Sequence, residues 1–320
     1  MLTNMRPSAY KTPGAPFVPP AQLAAADGTI TLSLSVYTYR GPTVSHLTRS
    51  FSAEQRGRVV SELLGPTIRV RPGERLRVRL TNNLGPELCD MSAVHNSLKN
   101  ANVTSLHTHG LHISPRAPGD DALTEVPPGD SREYIYDIPN DHMGGTFWYH
   151  PHAHGADAEQ AGGGAFGMLI VEDSPLSELP PAIASLEEIT LALVGLNMPA
   201  LAGFAEDYVE NCLEQPGCTA ATCANPIWGQ GPLEGEEADV LLVNGQTRPT
   251  ITMAARRWYR WRLLYAAGGG EVIYPTLNGS CEVRRAACVA AVRMRRRHAT
   301  LRTAHRAPRA MHRAPRTSRP

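Results

Sequence analysis

Short apolar runs with a period of two, broken by turns rich in glycine and proline, constrain the fold of this chain more than any other feature. Residues 30–36 alternate apolar and polar side chains, as expected of a strand with one buried face. The same alternation occupies residues 68–70 and 76–80 on either side of Pro72-Gly73, which predicts a hairpin. About six or seven such strands within residues 28–175 predict an all-β Greek-key β-sandwich.

Two units of β structure account for most of the 320 residues, since a chain of this length allows two domains of ordinary size. We predict one complete domain over residues 28–175 and a second, truncated domain over residues 176–283. Three strands are predicted in the second unit, at residues 188–194, 240–246 and 258–264. A Cys-containing insertion over residues 199–238 interrupts this unit, and residues 200–213 are predicted to form a short helix.

The two ends of the chain differ in character from these units. Residues 1–27 are rich in Pro and Ala, which predicts a flexible lead. Residues 284–320 consist mainly of Arg, Ala, His and Pro, and twelve arginines against one acidic residue follow position 280. This density of positive charge predicts a disordered tail. The abrupt change of composition suggests that the tail comes from a shifted reading frame or a misjoined exon.

Two His-x-His pairs carry the functional signal. One pair is His107 and His109, and the other is His150 and His152. Residues i and i+2 of a strand share a face and lie about 6.6 Å apart, which is too far to chelate one small ion but suits two neighbouring ions. Two such pairs on facing strands predict half of a multinuclear site, and imidazole nitrogen is a suitable ligand for copper, zinc and iron.

At these residues the chain resembles the multicopper oxidases. Leu106 to Gly110 is similar to the family's His-x-His-Gly motif, and Phe147 to Gly155 resembles its Trp-Tyr-His-x-His motif. Three further segments resemble bacterial-type members, residues 120–129, 144–146 and 160–171. The similarity is specific over residues 28–175, weaker to about residue 282 and absent beyond it.

The resemblance implies a cupredoxin fold and a copper-dependent oxidoreductase. By the family's pattern, His107 would bind the type 2 copper. The type 3 pair would be bound by the other three imidazoles, His109, His150 and His152. These three coppers would reduce dioxygen (O2) to water with electrons from a small-molecule reductant, such as a phenolic or aromatic compound or a metal ion. Asp120 or Asp121 falls where the family has an acid that assists proton delivery, and we prefer Asp120 as this catalytic residue.

The family's type 1 copper and its remaining cluster ligands need motifs that this sequence does not contain. There is no His-Cys-His motif, and His298, His305 and His312 follow no such pattern. We therefore expect an enzyme by family, with copper only at a type 2 and type 3 half-site. This chain is expected to be an incomplete copy that is inactive by itself, and a second domain or chain would have to complete the copper cluster.

Two other interpretations stay open. In the first, the chain is a non-catalytic copper-binding fragment without the blue absorption of a copper–thiolate site. In the second, it is a zinc-dependent hydrolase, because His107, His109 and His112 have the spacing of the metallo-β-lactamase-like enzymes. Those enzymes have Asp where Leu111 stands, and they are α/β proteins. Neither His112 nor His154 matches a ligand position of the oxidases.

Composition limits the classes of binding partner and bears on the cellular compartment of the protein. The net charge of +1 hides a basic tail and a mildly acidic body, and such a body gives no reason to expect nucleic acid as a partner. No apolar run is long enough for a membrane span. Cys212, Cys218 and Cys223 are expected to form disulfides or to be incidental, and not to bind metal. Asn102 and Asn278 begin N-glycosylation triplets. The family suggests secretion, whereas residues 1–27 lack the apolar core of a signal peptide, so the localisation is left open.

Overall fold

The structure of the protein is a computed structural model that describes residues 6–7, 14–40, 44–177, 179–223, 234–235, 240–267, 273–277, 281–286, 289–294 and 298–305. The predicted all-β architecture is confirmed, because these segments form mainly strands, arranged in four sheets, with few helices. None of the helices in these segments is long and apolar enough to cross a membrane.

The first unit is a sandwich of two sheets. Its strands are β1 (Arg6–Pro7), β2 (Gln22–Ala24), β3 (Ile30–Arg40), β4 (Val44–Gln55), β5 (Arg58–Ser61), β6 (Thr67–Val70), β7 (Arg75–Asn82), β8 (His107–His109), β9 (Ser131–Asp137), β10 (Gly145–His150) and β11 (Gly167–Val171). One sheet has the order β4-β3-β7-β9, with β1 against β3 and β5 against β4, and the other has the order β2-β6-β11-β10-β8. The first His pair therefore lies on the edge strand β8, and His150 ends the neighbouring strand β10.

The alternation in the sequence places one face of each strand in the core of the sandwich. Ile30, Leu32 and Leu34 of β3 are fully buried, as predicted. Removing each such side chain from water stabilises the fold by about 1.5–3 kcal/mol. Tyr149 of β10 enters the same core, and its hydroxyl donates to the carbonyl oxygen of Pro66 at 2.8 Å. The residues on either side of Tyr149 in β10 therefore point away from the core.

The turn at Pro72-Gly73 does not make the hairpin predicted from the sequence. β6 pairs with β2 and β11 in one sheet, whereas β7 pairs with β3 and β9 in the other. Gly73 has a φ of +82°, which residues with a side chain rarely adopt. Val70 and Leu76 are both buried. The turn therefore carries the chain from one layer to the other, so that both strands face a single core.

The second unit is built from two further sheets. Its strands are β12 (Glu188–Leu196), β14 (Val240–Val243), β15 (Thr250–Thr252), β16 (Trp258–Ala267), β17 (Ile273–Leu277), β18 (Cys281–Ala286), β19 (Val289–Met294) and β20 (His298–His305), whereas β13 (Glu234–Gly235) pairs with β4. The sheet orders are β14-β12-β16-β19-β18 and β15-β20-β17. The three strands predicted in this unit correspond to β12, β14 and β16. Leu191, Val243 and Trp261 belong to the core between these strands.

Four α-helices lie within the described residues, and the predicted helix of the insertion is among them. They are α1 (Asp157–Gly162), α2 (Pro181–Ala184), α3 (Met198–Leu213) and α4 (Ala220–Cys223). The side chain of Asn197 caps α3 by accepting a hydrogen bond from Ala200 N at 2.8 Å. Two disulfides hold the insertion, Cys89–Cys218 and Cys212–Cys223. The first of them attaches the insertion to the loop that precedes β8.

Residues 14–27 belong to the predicted flexible lead, and the structure describes contacts between this segment and both units. β2 pairs with β6 of the first unit, and Phe17 N donates to Thr250 O of the second unit at 3.0 Å. The side chain of Gln246 accepts from Val18 N at 2.7 Å and donates to Pro16 O at 3.0 Å. Composition gave no sign of these contacts because the lead makes them with its backbone atoms. Residues 1–5 and 8–13 lie outside the described residues.

Disorder of residues 284–320 stays a prediction, and the structure describes strands at residues 284–286, 289–294 and 298–305 of this tail. β19 pairs with β16 and β18, and β20 pairs with β15 and β17. Strand edges carry unpaired backbone groups, and pairing satisfies these groups whatever side chains the partner strand carries. Residues 306–320 lie outside the described residues, and a shifted frame stays a prediction.

Ion pairs join the two units beside the strands that carry the histidines. Arg262 Nε lies 2.7 Å from Glu188 Oε1, Arg69 Nη2 lies 2.8 Å from Glu188 Oε2, and Arg260 binds Asp173 through both carboxylate oxygens. Burial raises the pKa of Asp173, but the hydrogen bond from Arg260 and the arginine charges outweigh it and hold the pKa below its usual value. The pKa of Glu188 is lowered in the same way, against the effect of burial.

Candidate metal centre

The ladder between β8 and β10 sets three imidazoles side by side. His107 lies opposite His150, and His109 lies opposite Trp148. Because alternate residues of a strand share a face, these side chains project from the side of the sheet that does not hold Tyr149. Nitrogen atoms of the three imidazoles lie within 4.8 Å of one another. The structure therefore brings the two His pairs together.

The surroundings of His150 select the neutral ring with its proton on Nδ1. Its Nδ1 lies 2.7 Å from the carbonyl oxygen of Pro151, which can only accept, so Nε2 carries the free electron pair. The pKa of His150 is lowered to about 4. The main cause is burial, with a smaller contribution from the neighbouring His107, His109 and His152, and the hydrogen bond to Pro151 opposes the shift only in part. The ring is therefore neutral near pH 7, which is the form that binds metal ions.

Asp120 lies behind His107. Its Oδ2 is 3.0 Å from His107 Nδ1, and its Oδ1 accepts from Thr108 N at 2.8 Å. The backbone N–H of Asp120 donates to Ser114 O at 2.9 Å, which anchors the loop that carries the carboxylate. A carboxylate beside an imidazole fixes the orientation of the ring and leaves its other nitrogen free for a metal. The structure therefore places the predicted Asp120 against a predicted ligand.

His152 follows the end of β10, so no ladder hydrogen bond holds it. Its backbone N–H donates to the buried hydroxyl of Ser105 at 2.8 Å. The centre of its ring lies 5.1 Å from that of His107 and 6.0 Å from that of His150. His109 and His152 are exposed, whereas His150 is buried. The four imidazoles thus line one cluster that is open to solvent on one side.

Two further residues, Trp148 and Ser105, contact this cluster. Trp148 stacks on His150 with 4.1 Å between ring centres, and on His109 with 5.2 Å. The period of two in β10 was a signal for this position, because Trp148 and His150 share a face. Ser105 gave no signal, since its bond joins a side chain to a backbone 47 residues away.

Other candidate ligands lie elsewhere. His112 N donates to His142 Nε2 at 3.0 Å, with 5.6 Å between the ring centres, and His112 does not belong to the group of three imidazoles. His154 is exposed and also lies outside that group. The sulfur atoms of Cys89, Cys212 and Cys218 lie within 4.8 Å of one another, but all three are in disulfides and offer no thiolate.

The geometry of the imidazoles fits a metal centre. Two nitrogen ligands of one tetrahedral first-row ion, each about 2.0–2.1 Å from it, lie roughly 3.3 Å apart. His109 Nδ1 and His150 Nε2 are 3.3 Å apart. His107 Nδ1 is buried and lacks a well-directed hydrogen-bond acceptor, although Asp120 is close. A set of imidazole ligands suits copper, zinc or iron.

Comparisons of sequence relate the part of the chain around this centre to known proteins. Residues 90–175 match the profile of the family described as multicopper oxidase. The chain is 30% identical over 118 residues to multicopper oxidase mco of Staphylococcus epidermidis, a match that covers 37% of this chain and 22% of that protein. It is 29% identical over 204 residues to bilirubin oxidase of Albifimbria verrucaria, with 63% and 28% covered. The chain thus spans about a quarter of the length of these relatives.

Comparisons of structure extend over more of the chain. A laccase-like multicopper oxidase, CueO from Ochrobactrum sp., superposes with a TM-score of 0.53 at 17% identity, over 89% of this chain and 57% of that one. A laccase from Pediococcus acidilactici gives a TM-score of 0.54 at 16% identity, over 94% and 58%. At these identities the likeness establishes a shared fold.

Proposed function

We propose that the chain is a member of the multicopper oxidase family, supported by the match of residues 90–175 and by the similarity to known oxidases. It would serve as a copper-dependent oxidoreductase that couples oxidation of a small reductant to reduction of dioxygen to water. The reductant would be a phenolic or aromatic compound or a metal ion. The observation that carries the proposal is the convergence of His107, His109 and His150 within 4.8 Å, with His152 beside them.

The roles proposed for the side chains are those that the resemblance to the multicopper oxidases implies. His107 would hold the type 2 copper, and the type 3 pair would be held by the others, His109, His150 and His152. Copper, when bound, would supply the transfer of electrons to dioxygen. Asp120 keeps a largely buried carboxylate 3.0 Å from His107 Nδ1, at the edge of the cluster. This carboxylate would take up protons and release them to the reduced oxygen species.

The cluster is open on one side, where the described residues provide no further copper ligands. Four imidazoles are too few for three copper ions, and the two exposed ones, His109 and His152, face outward. We propose that another domain or a second chain docks on this face and supplies the remaining ligands. On this proposal the chain alone takes up copper but does not turn over.

A non-catalytic copper-binding role is the second candidate. The type 1 site of the family needs a free thiolate, and four of the six cysteines are paired in disulfides. The zinc hydrolase interpretation is disfavoured, because His112 contacts His142 and the cluster instead contains His150.

The disulfides bear on localisation. Cys89–Cys218 and Cys212–Cys223 would persist only in an oxidising compartment. We propose that the protein is secreted or otherwise extracytoplasmic. The test is a comparison of disulfide content between protein recovered from the medium and from the reducing cytosol.

Titration of the metal-free chain with Cu(II) tests the copper site. Wild type should bind copper, and His107→Ala and His150→Ala should each lose most of this binding. His154→Ala, which removes an exposed histidine of the same segment, is the matched control and should bind as wild type does. Equal binding by all four proteins would contradict the proposed ligands.

Oxygen consumption separates the two candidate functions. A copper-loaded chain supplied with a phenol or Fe(II) should consume no dioxygen alone and should do so once the missing ligands are supplied by a complementing domain. Copper binding without oxygen consumption in any such mixture would favour the non-catalytic candidate. Metal content that is unchanged in His150→Ala would instead favour a site built on His107, His109 and His112.

A further inference from the structure

The strand pairing alone does not account for the spacing of the two His pairs. The ladder between β8 and β10 contains three residue pairs, and among the described strands β8 has no partner on its other side. His152 lies beyond the end of this ladder. The 5.1 Å separation of the His107 and His152 rings must therefore be set by contacts outside the sheet.

Gln160 makes such contacts. It lies in α1, eight residues after His152, and it is fully buried. Its Nε2 donates to the carbonyl oxygens of Ala101 at 2.9 Å and Val103 at 2.8 Å, and its Oε1 accepts from the Thr104 hydroxyl at 2.9 Å. All three partners belong to the short segment that leads into β8. One amide side chain therefore binds the segment before the first His pair to the helix after the second.

Two neighbouring hydrogen bonds also join the segment before β8 to the residues that follow β10. His152 N donates to Ser105 Oγ at 2.8 Å, and Lys99 N donates to Gly155 O at 3.1 Å. Gln160 differs from these two because both of its donors and its acceptor are used at once in a fully dry environment, where an unmade hydrogen bond is costly. Its replacement by an apolar residue would remove the side-chain donor to the Ala101 and Val103 carbonyls and the 2.9 Å partner of the Thr104 hydroxyl.

We propose that Gln160 is a positioning residue for the metal centre, which sets the distance between His107 and His152. This inference rests on the proposed copper site. His107 and His150 are aligned by the ladder itself, so loss of Gln160 should disturb the coordination that involves His152 more than that between His107 and His150.

Gln160→Leu is the test, and Gln55→Leu is its matched control. Gln55 is also buried, and its Nε2 donates to two carbonyl oxygens, those of Ala24 at 2.8 Å and Gly28 at 3.0 Å. It lies outside the segments that carry the histidines. Each chain would be titrated with Cu(II), and the electron paramagnetic resonance spectrum of the bound ion and the thermal midpoint would be recorded.

Gln160→Leu should bind Cu(II) at least about tenfold more weakly, with altered hyperfine splitting. Gln55→Leu should lose thermal stability but keep both the affinity and the spectrum. Equal spectra and affinities in wild type and Gln160→Leu would overturn the positioning role while leaving the copper site intact. Wild type that binds no Cu(II) through its histidines would refute the proposed function and this inference with it.

A milder variant covers the case in which Gln160→Leu does not fold. Thr104→Val keeps the shape of the side chain and removes one of the three hydrogen bonds of Gln160. It should shift the spectrum and the affinity in the same direction by a smaller amount. A Thr104→Val chain with the wild-type spectrum and affinity would then overturn the inference.

Discussion

The Tyr149 side chain lies in a slot between Gly65 and Gly167, and substitutions at these glycines test the packing behind the metal centre. A Cβ added at Gly65 would collide with the Tyr149 hydroxyl oxygen but lie 3.1 Å from Cζ. A Cβ added at Gly167 would collide with that oxygen and with Cζ, and would lie 2.6 Å from Cε1. The first collision therefore depends mainly on the hydroxyl group, and the second also on ring carbons that phenylalanine retains.

Removal of the hydroxyl should rescue only one of the two glycine variants. Gly65→Ala alone should cost about 1–3 kcal/mol of unfolding free energy through overpacking. Tyr149→Phe alone should cost about 1–3 kcal/mol, because it leaves the carbonyl oxygen of Pro66 unpaired in a dry core. The double variant Gly65→Ala/Tyr149→Phe should be more stable than the sum of the single costs predicts, by about 0.5–3 kcal/mol.

Urea unfolding followed by far-ultraviolet circular dichroism gives the free energies needed for this cycle. The parallel cycle with Gly167→Ala is the control, and it should show little rescue by Tyr149→Phe. Additive costs at Gly65, or equal rescue at both glycines, would refute the argument that the hydroxyl and the ring carbons fill separate parts of the slot.

Three further outcomes are expected. Asp173→Asn should lower the urea midpoint at pH 7 and much less near pH 3, because a carboxylate whose folded pKa is lowered stabilises the fold above its unfolded pKa and loses that effect as the pH falls through the folded value. Asp120→Asn should weaken Cu(II) binding about tenfold, measured by titration, whereas Asp121→Asn should not. Asn102 should carry no glycan after secretion from a eukaryotic host, as judged by intact mass, because its side chain is buried and accepts from Arg49 at 2.9 Å.

Alternation revealed the strands that have one buried face, and it failed where both faces are buried. Residues 46–51 of β4 are all buried, including His46, Thr48 and Arg49, so the strand shows no period of two and was not predicted. Burial lowers the pKa of His46 to about 4, consistent with a dry environment on the polar side of the strand. The hairpin at Pro72-Gly73 failed for another reason, since a turn between layers and a turn within a sheet use the same residues.

The candidate site was predictable where it depends on local spacing. The two His-x-His pairs were visible because a strand repeats every two residues, and Asp120 was found through the resemblance to a family. The contacts of Gln160 and Ser105 were not visible, because each joins positions about 50 residues apart or more, through a side chain and a backbone group. No periodic pattern records such contacts.

The attachment of residues 14–18 to Gln246 and Thr250 also imposes an order on biosynthesis. The two partners are 228 residues apart, so a ribosome that makes 5–20 residues per second, as a rough guide, finishes the second partner about 10–50 s after the first. Until then residues 14–18 lack these partners of the second unit, whereas β1 can already pair with β3 and β2 with β6. The amino-terminal segment is therefore among the first parts to leave the ribosome and among the last to reach its final place.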